Sequence, residues 1–480
     1  MIGIGSVEAT LIVPAFAIPI LALVSAPRLG ATLNILACAM TLSAAVAMVF
    51  TERPRSDLIV IDDFNIFMII LTTFVGFTTS IFSATYLAHE MEIGRLTPVL
   101  LRFYHAMYQA LMCAMNVVLV ANNIGLMWVG VEVATLLAVI MVGMYRRPEA
   151  IEAAWKYFIV GSVGSGLAFF GTILVYLVAQ DVVGEGLPAM SWDLLAKSAP
   201  MLDPKLLSLA FVFLLVGYST KVGLAPFHAW LPDAHAGGPT AISAVQSGLL
   251  LNIALYVLLR FKMVLAGNEA AIDVGSVMVG LGLVSLVFAA FMLYRLRDIK
   301  RLFAYSSIEH MGIAAFAFGM GGPLANFAGL LHITMHAFMK SGIFFAVGHI
   351  VQVKGTQHIA AISGISVTHP VLAVLFTFGV IAIAGLPPFG MFTSEFMLIS
   401  STFAQQPVLG VVLVAGLLIA FGALILRLQD IVFGEPTGEA YPAQASYFPV
   451  YVHLTLVLIA GLWLPDPIVR WFRGVAASLG

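Results

Sequence analysis

Residues 213–232 read FLLVGYSTKVGLAPFHAWLP. Lys221 follows about fifteen largely apolar residues and is surrounded by Gly217, Gly223 and Pro226. Proline removes a backbone donor and clashes with the preceding turn, so a helix running through this stretch is expected to break beside the lysine. Backbone groups freed at membrane depth are tolerated only inside protein or along a wet cavity. The lysine could instead snorkel to the surface, but the long apolar run before it argues against that. The stretch therefore reads as a broken membrane span with a charge held at the break.

Residues 381–400, IAIAGLPPFGMFTSEFMLIS, repeat the design. Gly385, Pro387, Pro388 and Gly390 interrupt a hydrophobic run just before Glu395. Paired interrupted helices at corresponding places are the best sequence pointer to a transporter with inverted repeats. The halves are read here as sharing a pattern rather than sequence identity.

Composition agrees with a membrane setting. The 480 residues are 61% hydrophobic and 10% charged, with 22 basic and 24 acidic residues. Soluble domains carry about 25% charged residues. Soluble enzymes, coiled coils, disordered chains and nucleic-acid binders are thereby set aside. Cys38 and Cys113 lie in apolar runs without a CxxC pattern, so iron–sulfur, haem c and structural zinc sites are not expected. The N-terminus has no positive region or small-residue cleavage site, and is read as a first span rather than a removed signal.

A bilayer core of about 30 Å needs about 20 apolar residues per helix. Fourteen such segments are expected, beginning near Val7, Ala31, Phe64, Ala106, Leu126, Trp155, Leu207, Ala241, Val274, Leu302, Ala325, Val371, Leu409 and Phe448. The fold class is an all-α polytopic membrane protein. Odd-numbered loops hold eleven Lys and Arg residues and even-numbered loops six, the latter including Arg260 and Lys262. The positive-inside rule puts the odd loops in the cytoplasm and both termini outside.

The rare charges within spans are the informative residues, because each costs about 2.5–3.5 kcal/mol at the bilayer centre. Glu132 lies inside NNIGLMWVGVEVATLLAVIMVG. It is either a carboxylate bonded to a neighbouring helix for packing or a proton carrier, and the second reading is favoured. Lys221 and Glu395 are candidates for the same work. His332, His336 and Lys340 are spaced i, i+4, i+8, which stacks them on one helix face. A metal site is disfavoured, because no further carboxylate or thiolate ligand is evident and Lys340 would repel a cation. A hydrated proton wire suits the trio better, since histidine titrates near neutral pH. His310, in SSIEHMG, could extend it. His228, Asp233 and His235, beyond the Lys221 break, are either loop residues or a cytoplasmic proton entry. Lys156, at the start of the sixth span, either sets the charge state of Glu132 or snorkels. The run from Tyr294 to Arg301 reads as an inside-positive anchor.

Several segments resemble the antiporter-like membrane subunits of complex I and its relatives: NNIGLMWVGVEVATL, GYSTKVGLAPFHAWLPDAHAGGPTAISAVQSG, RDIKRLFAYSSIEHMG, LLHITMHAFMKSGIFF and AGLPPFGMFTSEFML. The resemblance runs from about Phe64 to Arg427. EAAWKYFIVGSVGSGLAFFGT and DAHAGGPTAISAVQSGLLLN look most like component F of hydrogenase-4 and formate hydrogenlyase-type complexes.

The resemblance implies fourteen helices, two inverted five-helix repeats (spans 4–8 and 9–13) and discontinuous spans 7 and 12. It divides the chain into an N-terminal three-helix segment (1–103), the repeats (104–263 and 272–430) and a last span (431–480). It places Glu132, Lys221 and Glu395 at functional positions of spans 5, 7 and 12. Lys156 matches a sixth-span lysine, and His310, His332, His336 and Lys340 fall on a central hydrophilic axis. One departure is Asn252, where the subunit M pattern has lysine. A neutral amide cannot hold a proton, so either water and His235 bridge the gap or transfer is weakened there.

The implied function is that of a non-catalytic, proton-translocating subunit of a redox-driven complex. The chain itself has no cofactor motif. Partner subunits, both membrane-arm and hydrophilic, are expected to carry iron–sulfur clusters and, in a hydrogenase, a nickel–iron centre. The implied location is the bacterial inner membrane. Rival readings are a subunit of a sodium or potassium/proton antiporter, a link to inorganic-carbon uptake, and a structural arm subunit that pumps nothing.

Overall fold

The computed structural model describes residues 5–443 and 445–480. Residues 1–4, which precede the first expected span near Val7, and Gln444 lie outside them. Helices account for 81% of the chain, and no β-strand occurs among the described residues. Each of the fourteen expected apolar segments falls on a helix. Helix starts are set by local chemistry. Asp62 and Asn65 form a capping box before Asp63–Glu92, satisfying otherwise orphaned backbone amides. Pro98, Pro148, Pro204 and Pro407 occupy first-turn positions where no backbone donor is missed.

Eleven helices among the described residues are long and apolar enough to cross a membrane. A twelfth crossing results if Phe448–Leu462 and Asp466–Ser478, bent by 82° at a short break, are counted as one. The expected number of fourteen is not reached by this measure. Ile299–Met320 falls outside it; this helix buries the polar Ser306, Ser307, Glu309 and His310. The broken segment 370–405 falls outside because each half, Pro370–Ile383 and Gly390–Gln405, is short.

Both expected interruptions are present. Pro204–Val222 ends at Gly223 (φ 79°), and a turn leads to the short helix Leu231–Gly237. Pro370–Ile383 ends before Gly385 (φ 71°), and Gly390–Gln405 follows. These left-handed positions are accessible to glycine at little steric cost. The segments at the two breaks are Gly223-Leu-Ala-Pro-Phe227 and Gly385-Leu-Pro-Pro-Phe389. The halves thus share sequence identity at the breaks, which corrects the expectation of matching pattern alone.

The centre of the bundle is Gly322–Lys354, whose most apolar window is 94% buried, beside Thr240–Ala266 at 89%. The outer helices Ser6–Leu23 and Pro407–Val432 are 22% and 33% buried by the same measure. Their exposed Phe16, Val408 and Leu418 fit a lipid-facing surface. Around Lys221 the helices approach closely. A Cβ placed on Gly217 would lie 2.5 Å from the Ala168 amide nitrogen and 2.6 Å from the Gly164 carbonyl oxygen.

Several cations expected in loops are interior. Thr240–Ala266 continues past Arg260. Arg260 is fully buried, donates to both carboxylate oxygens of Asp62 (2.7 and 2.9 Å) and lies over the Trp192 ring at 4.3 Å. Burial alone would raise the Asp62 carboxyl, but the facing guanidinium holds it below its ordinary range. Lys262 donates to the Leu479 carbonyl, Lys300 to that of Gly238 and Lys354 to that of Thr437.

Candidate functional site

The first cluster forms around the Lys221 break. Lys221 is the last charged residue before the glycine that ends Pro204–Val222, and its side chain is 4% exposed. Its Nζ lies 3.0 Å from Glu132 Oε2 and donates to Thr135 Oγ1 at 3.1 Å. Glu132 and Thr135 sit one turn apart on Ile124–Val142, so one helix face presents both acceptors. The Ser165 hydroxyl, from Pro148–Val183, also donates to Glu132 Oε2. Gly161 packs against the junction, with its Cβ position 3.5 Å from Lys221 Nζ, an ordinary contact distance. Glu132 is therefore paired, and its partner is the second charge that the sequence singled out.

Lys156 does not join this cluster. It is half-exposed and pairs with Glu152 (2.7 Å) and Asp233 (3.0 Å), matching the snorkelling alternative. Asp233 also pairs with Arg301 at 2.6 Å. His228 is buried against Phe288 and Tyr305. His235 is not a loop residue: it is fully buried and stacked on Phe344 at 4.8 Å.

The second cluster lies where Ile299–Met320, Gly322–Lys354 and Gly390–Gln405 meet. His310 Nδ1 and His332 Nε2 are 3.2 Å apart, and His332 Nδ1 is 3.1 Å from Ser394 Oγ. The Ser394 hydroxyl donates to the Met391 carbonyl at 2.7 Å. Its hydrogen is thereby engaged, so Ser394 accepts from His332 Nδ1–H. His332 Nε2 must then accept from His310 Nδ1–H, because a neutral imidazole has one donor and one acceptor. The Glu395 carboxylate comes within 4.8 Å of a ring nitrogen of His310 and of His332. His336 lies with its ring 5.9 Å from that of His310 and with both nitrogens free of protein partners. Lys340, fully buried, donates to the Phe303 carbonyl at 3.2 Å.

Two features were not anticipated from sequence. Glu309 is buried next to His310 in the chain and interacts electrostatically with Lys340 and Glu395. Its signal was available, as an acid in an apolar span is the criterion that picked out Glu132. The carboxylate judged missing from the histidine trio is also present, supplied by Glu395 from another helix.

Asn252 bridges helices. Its amide donates to the Gly248 carbonyl (3.0 Å) and to the Ile333 carbonyl (3.3 Å), beside His332. Near the axis, Ser247 and Ser307 hydroxyls are 2.6 Å apart. Gln246, His235 and Ser219 carry buried polar atoms without a protein partner. No side-chain hydrogen bond joins the two clusters among the described residues. Buried polar atoms are otherwise almost always satisfied, so this row is chemically suited to hydration.

A family model described as NADH:quinone oxidoreductase/Mrp antiporter, transmembrane, matches residues 121–420. The chain is 53% identical over 474 residues to the hydrogenase-4 component F homolog of Methylacidiphilum infernorum (isolate V4), covering 99% of this chain and all of that one. Its fold matches a chain of an archaeal membrane-bound sulfane sulfur reductase with a TM-score of 0.88 at 20% identity, over 98% and 97% of the two chains. A chain of respiratory complex I from Thermus thermophilus matches with a TM-score of 0.81 at 21% identity, over 99% and 100%. The match covers both clusters and both breaks, and the chain is an integral membrane protein belonging to the NADH:quinone oxidoreductase/Mrp antiporter transmembrane family.

Proposed function

We propose that this chain is the proton-translocating, antiporter-like membrane subunit of a redox-driven complex of the group 4 hydrogenase and complex I type. The observation that carries the reading is the Lys221–Glu132 ion pair at 3.0 Å, held at the end of a broken helix inside an apolar bundle. Replacing such a pair by apolar groups is often neutral or stabilising. Folding alone therefore gives little reason to keep it. The 53% identity to a hydrogenase-4 component F homolog supports the type of complex.

In this reading the Lys221 ammonium is held by Glu132 and Thr135, and Ser165 donates to the same Glu132 carboxylate. Separation of the pair removes the counter-charge, and the buried lysine releases its proton toward the second cluster. Lys340 with Glu309, the histidines and Glu395 relay it onward, with water joining groups too far apart for direct bonds. The free energy comes from electron transfer in partner subunits, which carry the iron–sulfur clusters and, in a hydrogenase, the nickel–iron centre. The subunit sits in a bacterial cytoplasmic membrane with both termini on the periplasmic side. Four of the cations first counted in loops, Arg260, Lys262, Lys300 and Lys354, are buried and no longer count. They divide two and two between the odd and even loops, so the odd-side excess that supports this orientation is unchanged.

The family model's own description includes Mrp antiporters, which favours sodium or potassium exchange as the second reading. Proton flux into vesicles bearing the intact complex, in sodium medium and in choline medium, separates them. Equal flux in both supports redox-driven proton transfer, and flux abolished by choline overturns it.

A further inference from the structure

We propose that His310, His332 and Glu395 form a binding site for a divalent transition-metal ion of the zinc class. One nitrogen of each histidine and one carboxylate oxygen all lie within 4.8 Å of one another, and all three residues are buried. Zinc bonds to nitrogen and oxygen of about 2.0–2.1 Å set ligand-to-ligand edges of about 3.3–3.4 Å in a tetrahedron. The His310 Nδ1 to His332 Nε2 distance is 3.2 Å, so two ligands already stand at that spacing. Two histidines and one carboxylate leave the fourth position open, as in zinc sites that keep a water.

The surroundings supply a second, independent argument. Metal-bound histidines almost always donate their other ring N–H to an oriented acceptor. His332 does so already, since Ser394 Oγ accepts from Nδ1 and thereby presents the Nε2 lone pair to the site. His310 Nε2 makes no full side-chain hydrogen bond, and the ring interacts with the Ile383 backbone. The proton now on its Nδ1 can move to Nε2, freeing Nδ1 to coordinate without loss of a proton from the ring.

Lys340, which argued against a cation from sequence alone, is aimed elsewhere. Its ammonium is bonded to the Phe303 carbonyl, seven residues before His310 on the same helix. Its charge still acts on His310 and His332. Glu309 interacts with Lys340 and offsets its charge.

This inference concerns the residues of the proposed proton axis, but its test does not depend on proton movement. The purified complex is titrated with zinc against a chromogenic chelator, and bound zinc is counted per complex for wild type, Glu395→Gln and Ser394→Ala. Glu395→Gln removes the anionic ligand at nearly constant size and is expected to abolish one zinc equivalent. Ser394→Ala keeps every ligand and removes only the orienting bond, so that site's affinity should fall about 10–100-fold. Ser394→Ala also guards against misfolding, because it deletes a single oxygen. Zinc absorption-edge spectra of the wild-type complex should show two imidazoles for the equivalent lost in Glu395→Gln. Unchanged zinc stoichiometry and affinity in both variants overturns the site, whatever the proton flux.

Discussion

Glu132→Gln tests whether the ion pair controls the charge on Lys221. The substitution keeps the side-chain size and a hydrogen-bonding carbonyl for Ser165 and Lys221, and deletes one negative charge. At 3.0 Å and an effective dielectric of about 20, that charge attracts the ammonium by about 5 kcal/mol. Moving one charge against 100 mV takes about 2.3 kcal/mol. Even half of the Coulomb figure, after desolvation, exceeds the work of one proton step. Making and breaking the pair is therefore large enough to load and unload Lys221. The assay is proton uptake per electron in liposomes containing the assembled complex, with electron transfer measured in parallel. The expected result is a lower proton-to-electron ratio with assembly intact. An unchanged ratio with Glu132→Gln would refute the reasoning, because Lys221 would then be switched without its counter-ion.

Asp62→Asn leaves the fully buried Arg260 without a counter-charge and should cost about 3 kcal/mol, toward the lower end of the range for broken buried pairs because Asp62 is 28% exposed. The folded Asp62 carboxyl is held below its ordinary value near 3.9, so the pair's stability is complete above about pH 4 and lost as pH falls through the folded value. Thermal unfolding of the complex from pH 6 down to pH 3 should show an acid-sensitive drop in wild type that is smaller in Asp62→Asn. Gly217→Val drives a side chain into the Ala168 and Gly164 backbones and should lower the melting midpoint, at a cost of about 1–3 kcal/mol. Asn252→Ala should cost about 1 kcal/mol through its lost bond to the Ile333 carbonyl and leave the proton-to-electron ratio unchanged, since an amide carries no proton.

The breaks at Gly223 and Gly385 could be read from the chain because glycine and proline act locally, whatever surrounds them. The i, i+4, i+8 face of His332, His336 and Lys340 was equally visible, because helix geometry fixes it. What approaches that face was not visible. Glu395 reaches His332 from a helix more than sixty residues away, and no spacing rule carries that information. The same limit applies to Glu132 and Lys221, flagged separately and joined only by packing. Charges near helix ends were the weakest part of the reading. Arg260 and Lys156 look alike in sequence, yet one is sealed against Asp62 and Trp192 and the other lies at the surface with Glu152. Glu309 is legible by the criterion that marks Glu132, an acid within an apolar span.

The measurement closest to the central claim is the proton-to-electron ratio of the reconstituted complex carrying Lys221→Ala. Electron transfer should continue while fewer protons cross per electron. A ratio equal to that of wild type, in a fully assembled complex, would contradict a proton-translocating role for the lysine at the broken helix.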